Sequence, residues 1–259
     1  MLETVNFKGE KLADSTLISK LEEIKGDLVG DLDLSDNYIS EDGALEALKK
    51  FSGAVQLGLA NNNISTLFKL GGLMKSSLVK EIALGGNPIT AEEVAKFIEE
   101  VKISKLKKIG LAGLGLSDAG VKVVIYAVKD MGSLTHLDLS YNDISNYGLE
   151  VICNLGFTGE ALLLAANDIS NLGLSSLVDN LDNFPNLKMI DLRGNEFMGT
   201  DDFKTSLQTL KSRGIELVLD SQSGISGQFK ALLMMLGLPL KFETVVSKDA
   251  QMHYPLNSS

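Results

Sequence analysis

The sequence predicts an α/β solenoid, a horseshoe arc in which a parallel sheet forms the concave face and helices form the convex face. One phrase of apolar residues and an asparagine recurs through most of the chain, at intervals of 25 to 28 residues. Each copy is followed by a stretch in which apolar residues recur at helical spacing. Repeats of this length are typical of solenoids, in which each unit packs only against its neighbours.

The recurring phrase alternates apolar and variable residues, which predicts a short strand with its apolar side chains facing the core. Clear copies end at Ile39, Ile64, Ile89, Ile144 and Phe197, and weaker copies end at Leu12, Leu116 and Ile169. The asparagine position is occupied by Asn37, Asn62, Asn87, Leu114, Asn142, Asn167 and Asn195.

The asparagines are interpreted as structural residues. At a tight turn after a strand, an amide side chain both donates to and accepts from backbone groups, so equivalent asparagines form a ladder between repeats. Leu114 interrupts that ladder, because an apolar side chain leaves the turn amides without their usual partner. We therefore expect weaker local order around Leu114.

The segments after the asparagines, such as ISEDGALEALKKF from Ile39 and ISNYGLEVICNL from Ile144, are typical of short helices. The combined pattern resembles the leucine-rich-repeat superfamily and, within it, the ribonuclease-inhibitor-like class. That class includes ribonuclease inhibitor, Ran GTPase-activating protein and the repeat regions of NOD-like receptors. The resemblance implies a leucine-rich-repeat solenoid of about eight to nine repeats over residues 1–225 and a protein-binding role.

Composition restricts the partners. The chain has 24 Lys and Arg against 34 Asp and Glu, a formal charge of -10, so it repels nucleic acid and anionic lipid. A neutral or basic protein partner is expected. A single cysteine and the lack of a secretory or transit pattern favour a cytoplasmic location, and no apolar run is long enough to cross a membrane.

Catalytic and metal-binding patterns are weak. His136 and Asp138 lie two residues apart on a predicted strand, but no serine accompanies them on a nucleophile turn. Cys153 occupies an apolar helical position, which favours a buried core residue over a reactive thiol. We therefore expect no enzyme activity, no cofactor and no metal site.

The strand positions between the apolar residues map the concave face. The central column consists of Asn6, Asp33, Gly58, Ala83, Gly110, Asp138, Leu163, Asp191 and Val218. Two further columns at the following turn consist of Ala60, Gly85 and Ala112, and of Asn61, Gly86 and Gly113. The small residues predict either a smooth trough that admits a bulky partner or an unused surface, and both interpretations remain open.

The candidate partner-binding residues lie on either side of these small residues. They are Asp31, Asp33, Asp36, Tyr38, His136, Asp138, Tyr141, Asp191 and Arg193. Two alternatives use the same arc. It could dock a small GTPase as an accessory similar to Ran GTPase-activating protein, or it could be the sensor region of a NOD-like receptor or a bacterial effector.

The two ends of the sheet are expected to differ. Residues 226–259 are predicted to form a C-terminal capping segment and tail, with a closing helix in GQFKALLMMLGL and an added strand in LKFETVVS. The first strand phrase begins directly after Met1, with no helix before it to cover the sheet edge. This predicts either a missing upstream domain or self-association through that edge.

Overall fold

The computed structural model describes residues 3–24, 29–220 and 240–243, together with the single positions 226, 227, 231, 234 and 237. In that part of the chain, ten strands form one sheet in sequence order, and every neighbouring pair is parallel. The strands are β1 (Glu3–Asn6), β2 (Val29–Asp33), β3 (Gln56–Gly58), β4 (Glu81–Ala83), β5 (Lys108–Gly110), β6 (His136–Asp138), β7 (Ala161–Leu163), β8 (Met189–Asp191), β9 (Glu216–Asp220) and β10 (Leu240–Glu243).

Helices connect successive strands up to β9. They are α1 (Asp14–Glu23), α2 (Glu41–Lys50), α3 (Phe68–Met74), α4 (Ala91–Val101), α5 (Ser117–Val128), α6 (Asn146–Leu155), α7 (Asn171–Asp179) and α8 (Asp201–Ser212). A helix is about 10 Å wide, whereas strands are spaced about 4.8 Å apart, so the helical layer is the longer one. The sheet consequently lies on the concave side, and the predicted solenoid is confirmed.

The central column predicted from the sequence is confirmed residue by residue. Asn6 pairs with Asp33, which pairs with Gly58, and the series continues through each strand to Val218. Because strand side chains alternate between faces, this register places one buried residue between two concave-facing residues in each short strand. In β6, for example, Leu137 is buried between His136 and Asp138.

One continuous apolar core lies between the sheet and the helices. It contains the inward residues of the strands, the isoleucine after each asparagine and the inner faces of the helices. Phe51, Phe97 and Phe203 are among its largest fully buried side chains. The core extends across the repeats, so each repeat depends on its neighbours to exclude water.

The asparagine ladder has the geometry that its role requires. Asn62 Nδ2 donates to the carbonyl of Leu34 in the preceding repeat and to that of Leu59 in its own repeat, both at 3.0 Å. Asn62 Oδ1 accepts from the Ile39 amide at 3.1 Å. The equivalent bonds recur at Asn37, Asn87, Asn167 and Asn195.

Leu114 divides the ladder into two sections. An asparagine at position 114 would accept a hydrogen bond from the Ile89 amide. With leucine at that position, the Ile89 amide donates instead to the carbonyl of Asn87 at 2.8 Å. The second section starts at Asn142, whose Oδ1 accepts from the amides of Leu114 and Leu116. The Ile89 amide is thus satisfied within its own repeat, and no asparagine side chain joins the turn of the β4 repeat to that of the β5 repeat.

A second set of hydrogen bonds joins the beginnings of neighbouring helices. Ser145, the residue before α6, donates from its amide and its hydroxyl to the Asp118 carboxylate, at 2.8 and 2.6 Å. Ser40 binds Asp14 in the same way. Both serines also cap their own helices, since Ser40 Oγ accepts from the Asp42 amide and Ser145 Oγ accepts from the Tyr147 amide. Each serine thus connects its helix to the one before it.

These bonds explain a glycine three residues after the serine. A Cβ on Gly148 would overlap Asp118 Oδ1 and would lie 3.1 Å from Asp118 Cγ. Gly43 has the same relation to Asp14, and Gly173 lies against Asn146. The glycine therefore leaves room for the polar side chain of the preceding helix.

At the C-terminal end, β10 pairs in parallel with β9, so the strand predicted within residues 240–247 is confirmed for residues 240–243. The rest of that predicted strand and most of the predicted closing helix lie outside the described residues. At the other end, β1 pairs only with β2 within the described part of the chain.

The helix-to-helix bonds lead to a stability prediction. Gly148→Ala should lower the free energy of unfolding by about 2–3 kcal/mol, because the methyl group displaces Asp118 from two partly buried hydrogen bonds. Gly72→Ala is the matched control, since a Cβ at that position of α3 meets nothing within 4 Å. Urea unfolding should show the control unchanged or up to about 1 kcal/mol more stable. Equal effects of the two substitutions would contradict this role of Gly148.

Candidate partner-binding surface

Two columns of side chains cover the concave face of the sheet. The first contains one residue from each strand, in the order Asp31, Gln56, Glu81, Lys108, His136, Ala161, Met189 and Glu216. The second is the central column, two residues further along each strand. The candidate residues Asp31 and His136 belong to the first column, whereas Asp33, Asp138 and Asp191 belong to the second.

The first column is polar in its middle. Gln56, Glu81 and Lys108 follow Asp31, and Lys108 Nζ lies 3.1 Å from Glu81 Oε1. These three residues were not among the candidates. The sequence does predict their position, since each lies two residues before a member of the central column. The small residues therefore form a narrow strip along the central column and do not span the whole face.

The turn column Ala60, Gly85 and Ala112 is not part of the concave surface. Ala60 and Ala112 are 1% and 3% exposed, and Gly85 is also buried. A Cβ on Gly85 would lie 2.5 Å from the carbonyl oxygen of Ala112. The expectation that these residues line a trough was wrong, because the turns of adjacent repeats pack directly against each other here.

In the central column, aspartates accept hydrogen bonds from backbone amides just beyond the ends of their strands. Asp33 Oδ1 accepts from the Ser35 amide at 3.0 Å, and Asp138 Oδ1 accepts from the Ser140 amide at 2.9 Å. Asn6 accepts from the Lys8 amide in the same way. These side chains therefore have a structural role besides any contact with a partner.

Asp191 and Arg193 form a buried pair. Arg193 Nε lies 3.0 Å from both carboxylate oxygens of Asp191, and Nη2 lies 2.5 Å from Oδ2. Asp191 is 1% exposed and Arg193 is 5% exposed. The two charges compensate each other, and little of either side chain is available to a partner.

Asp138 differs from Asp191 because no cation lies within ion-pair distance of it among the described residues. Burial raises the pKa of Asp138 to about 6, and the charge of Asp191 adds to the increase. Hydrogen bonds from Ser140 and the charge of Arg193 oppose it. A desolvated carboxylate without a cation favours the approach of a positive group.

Tyr141 lies close enough to Asp138, Asp191 and Arg193 for their charges to affect it, and burial raises the pKa of its hydroxyl. Its backbone φ is +57°. The equivalent residues of the other repeats also have a positive φ; they are the glycines Gly86, Gly113 and Gly194 and the non-glycine residues Asp36, Asn61 and Ala166. A bulky residue in this region costs about 1–2 kcal/mol.

His136 belongs to a different electrostatic neighbourhood. Its pKa is lowered by burial and by the charge of Lys108, while Glu160 and Glu81 oppose the shift. Its Nδ1 lies 2.9 Å from Thr135 Oγ1. His136 and Asp138 thus share one face of β6, but different charged groups surround them.

The remaining candidates lie near the N-terminal end of the sheet. Asp36 Oδ1 accepts from Asn61 Nδ2 at 2.8 Å, and Lys8 Nζ lies 3.9 Å from Asp36 Oδ2. Tyr38 is 56% exposed on the turn that follows β2. The structure therefore separates the candidates into one group on the β2 repeat and another on the β6 to β8 repeats.

The described residues offer little other reactive chemistry. Cys153 is fully buried, as predicted, and burial raises the pKa of its thiol to about 12. No group of three or more His, Cys, Asp or Glu there could hold a metal ion. None of the helices in that part has both the length and the apolar composition to cross a membrane.

Comparisons with known proteins agree on the type of repeat. A family model described as a leucine-rich repeat matches residues 133–153. Over 83 residues, or 31% of this chain, the sequence is 31% identical to the human protein "NACHT, LRR and PYD domains-containing protein 5". The match covers 7% of that protein, so this chain spans only a small part of its length.

Solved structures share the fold at low sequence identity. A protein from Bacteroides fragilis matches with a TM-score of 0.51 and 16% identity, over 81% of this chain and 70% of that one. Internalin C2 from Listeria monocytogenes matches with a TM-score of 0.43 and 19% identity, over 70% of this chain and 67% of that one. The first match supports the solenoid fold alone.

Asp138 provides a pH-dependent test of the concave face. Its pKa in the folded protein is about 6, against 3.8 as its ordinary value, so its contribution to stability is present below pH 4 and lost as the pH rises through 6. Asp138→Asn keeps an acceptor for the Ser140 amide. It also removes the ionisation that lowers the stability of the wild type as the pH rises. The variant should therefore gain about 1–2 kcal/mol relative to the wild type between pH 4 and pH 7, since partial solvent contact screens the full effect.

Urea unfolding at several pH values measures this difference. Asp143→Asn is the control, because it removes an exposed aspartate from the turn that follows Asp138. A stability difference between Asp138→Asn and the wild type that does not change with pH would contradict the proposed desolvation.

Proposed function

Because this chain is a leucine-rich-repeat protein, we propose that it is a binding module or scaffold that holds a protein partner on its concave face. The observation that carries the proposal is Asp138, a desolvated carboxylate on that face with no cation beside it in the described structure. Tyr141 supports it, since it places an aromatic side chain close enough to Asp138 for the two to interact electrostatically.

The charge of the face favours a neutral or basic partner. Asp31, Asp33 and Asp138 have no ion-pair partner among the described residues, whereas Asp36 is near Lys8. Bringing a lysine or arginine to Asp138 would replace lost hydration with a charge-assisted hydrogen bond. Nucleic acid and anionic membranes would be repelled by the same charges.

The central column provides the space for such a contact. Gly110 lies directly beside Asp138 in the sheet, and Ala83 and Gly58 continue the strip away from it. A Cβ on Gly110 would meet its nearest neighbour at 3.5 Å, an ordinary contact, so packing does not require glycine at this position. At Gly58, by contrast, a Cβ would lie 2.7 Å from Asp33 Oδ1, so packing accounts for that glycine. The interpretation of the strip as a partner's path is therefore supported at Gly110.

We further assign the chain to the ribonuclease-inhibitor-like class and to the cytoplasm. Helices on the convex side of the repeats support the class. The chain has a single cysteine, the buried Cys153, which cannot form an internal disulfide, and this fits a reducing compartment. Binding is favoured over catalysis because the Thr135 hydroxyl, which lies against His136, donates to the Lys107 carbonyl, and no hydrogen bond joins His136 to Asp138 in the described part of the chain.

The alternative role as a GTPase accessory is less favoured. Its candidate arginine, Arg193, is 5% exposed and bound to Asp191. An arginine that stabilises a phosphoryl-transfer transition state must reach the nucleotide, so Arg193 would first have to leave a buried ion pair. The structure offers no compensation for that cost.

A second candidate function is the sensor region of a larger receptor. The observation that favours it is the 31% identity to a human protein whose name includes a NACHT domain. In that case an upstream domain would adjoin β1, whose outer edge has no partner strand among the described residues and otherwise could pair with a second copy. Both roles use the same concave surface.

The proposal is tested by partner capture from native lysate with identification by mass spectrometry. Asp33→Lys combined with Asp138→Lys should abolish capture, because two positive charges then face a neutral or basic partner. Asp33→Asn with Asp138→Asn should weaken capture while keeping the amide hydrogen bonds that Asn6 shows asparagine can make.

The matched control is Glu22→Lys with Glu92→Lys, which makes the same charge change on exposed positions of α1 and α4. Thermal unfolding of each variant verifies that it is folded. Capture that is unchanged in both concave variants would refute the concave face as the binding surface.

A further inference from the structure

Basic residues are absent from one part of the solenoid. The first 129 residues contain 16 lysines, but no lysine or arginine occurs between Lys129 and Lys188. That interval contains eight acidic residues, namely Asp130, Asp138, Asp143, Glu150, Glu160, Asp168, Asp179 and Asp182. The negative potential is therefore concentrated on the repeats of β6 and β7.

Three acidic residues of these repeats and the next form a row on the rim of the arc. Asp143, Asp168 and Glu196 each directly follow a ladder asparagine, and all three are exposed. Backbone bridges between Ser145 and Asp168 and between Ser170 and Glu196 place consecutive repeats side by side. None of the equivalent residues of the N-terminal repeats is acidic; they are Lys11, Tyr38, Asn63, Pro88 and Gly115.

The three carboxylates have no hydrogen bond or ion pair in the described part of the protein. They differ in this respect from Asp118, which binds Ser145, and from Asp14, which binds Ser40. Carboxylates with a structural bond have an explanation within the fold. These three remain available for an external cation.

An apolar row runs beside the acidic one. Tyr147 and Leu172 occupy the same position in α6 and α7, two residues after the capping serine, and they are 64% and 76% exposed. Met198 is 70% exposed and lies next to Leu172, because its amide and carbonyl bind the side chain of Asn171. Solvent-exposed large apolar side chains in a row mark an interaction surface.

Both rows are held in fixed positions. Asn146 connects the beginnings of α6 and α7 by accepting from the amides of Ser170 and Gly173 and donating to Ser170 Oγ. Asn171 makes the corresponding connection to Met198 and Thr200. A rigid surface loses little conformational entropy on binding.

We propose that these six residues, which we call the rim patch, bind an amphipathic basic segment of the partner protein. The rim patch consists of Tyr147, Leu172 and Met198 with Asp143, Asp168 and Glu196. The apolar row would contact the apolar face of the segment, and the acidic row would contact its lysines or arginines. The proposal rests on the proposed binding function and extends it from the concave face to the adjoining rim.

The negative charge of the rim patch favours a basic segment over the other possible binding partners. A second copy of this chain would bring its own acidic row against the first, and an anionic membrane would be repelled by the same carboxylates. A basic segment satisfies both rows at once. It would also run next to Asp138, which lies at the end of β6 shortly before Asp143.

The test uses three helical peptides of about 15 residues, long enough to form helix on a surface. The first alternates leucine and lysine at helical spacing, the second has glutamate in place of lysine, and the third has serine in place of leucine. Fluorescence anisotropy should show binding of the first peptide only. Its binding should weaken with added salt.

Variants locate the site of binding. Combining Tyr147→Ser, Leu172→Ser and Met198→Ser should weaken the first peptide at least tenfold, and combining Asp143→Asn, Asp168→Asn and Glu196→Gln should reduce its salt dependence. The matched controls are Phe68→Ser, another exposed aromatic, and the combination Glu22→Gln, Glu92→Gln and Glu99→Gln. The controls should leave binding unchanged.

Several results would overturn the rim patch. They are no binding of the first peptide, equal binding of the glutamate peptide, equal losses in variants and controls, and a dimer that the serine variants dissociate. The proposed function is judged separately by lysate capture. If capture depends on Asp33 and Asp138 but is unchanged in the rim variants, the proposed binding by the concave face is supported and the rim patch is refuted.

Discussion

The backbone groups at the turn after each strand are buried, so they need hydrogen-bond partners inside the protein. Asn62 meets that need by joining Leu34 and Ile39 of one repeat to Leu59 of the next. A slipped register would leave these buried groups unpaired, at about 1–3 kcal/mol for each group. The ladder thus fixes the position of each repeat on its neighbour, and the shared apolar core supplies the driving force.

That fixed register determines what the surface can offer to a partner. It aligns Gly110, Asp138 and Leu163 across three strands, which places a carboxylate between a small residue and an apolar one. It also sets the left-handed turn that presents Tyr141. The helix-to-helix bonds of Ser145 and Ser170 do the same for the convex side, since they join α6 to α5 and α7 to α6. The proposed binding surfaces are therefore built from the same bonds that stabilise the repeats.

The fold and the central column could be predicted because both follow from spacing alone. A period of two and a recurrent asparagine determine which residue of β6 lies beside which residue of β7. The burial of Ala60, the pairing of Arg193 with Asp191 and the contact of Ser145 with Asp118 could not be predicted in this way. They depend on how closely two turns approach and on where a long side chain folds back, which spacing does not specify.

Amide hydrogen exchange measured residue by residue under native conditions tests the ladder most directly. The amides of Ile39, Ile64, Ile144 and Ile169 donate to an asparagine of the following repeat. The amide of Ile89 is equally buried but donates to its own repeat. The ladder predicts that Ile89 exchanges at least about tenfold faster than the other four, because a local opening exposes it without separating repeats. Equal protection of all five amides would contradict the account.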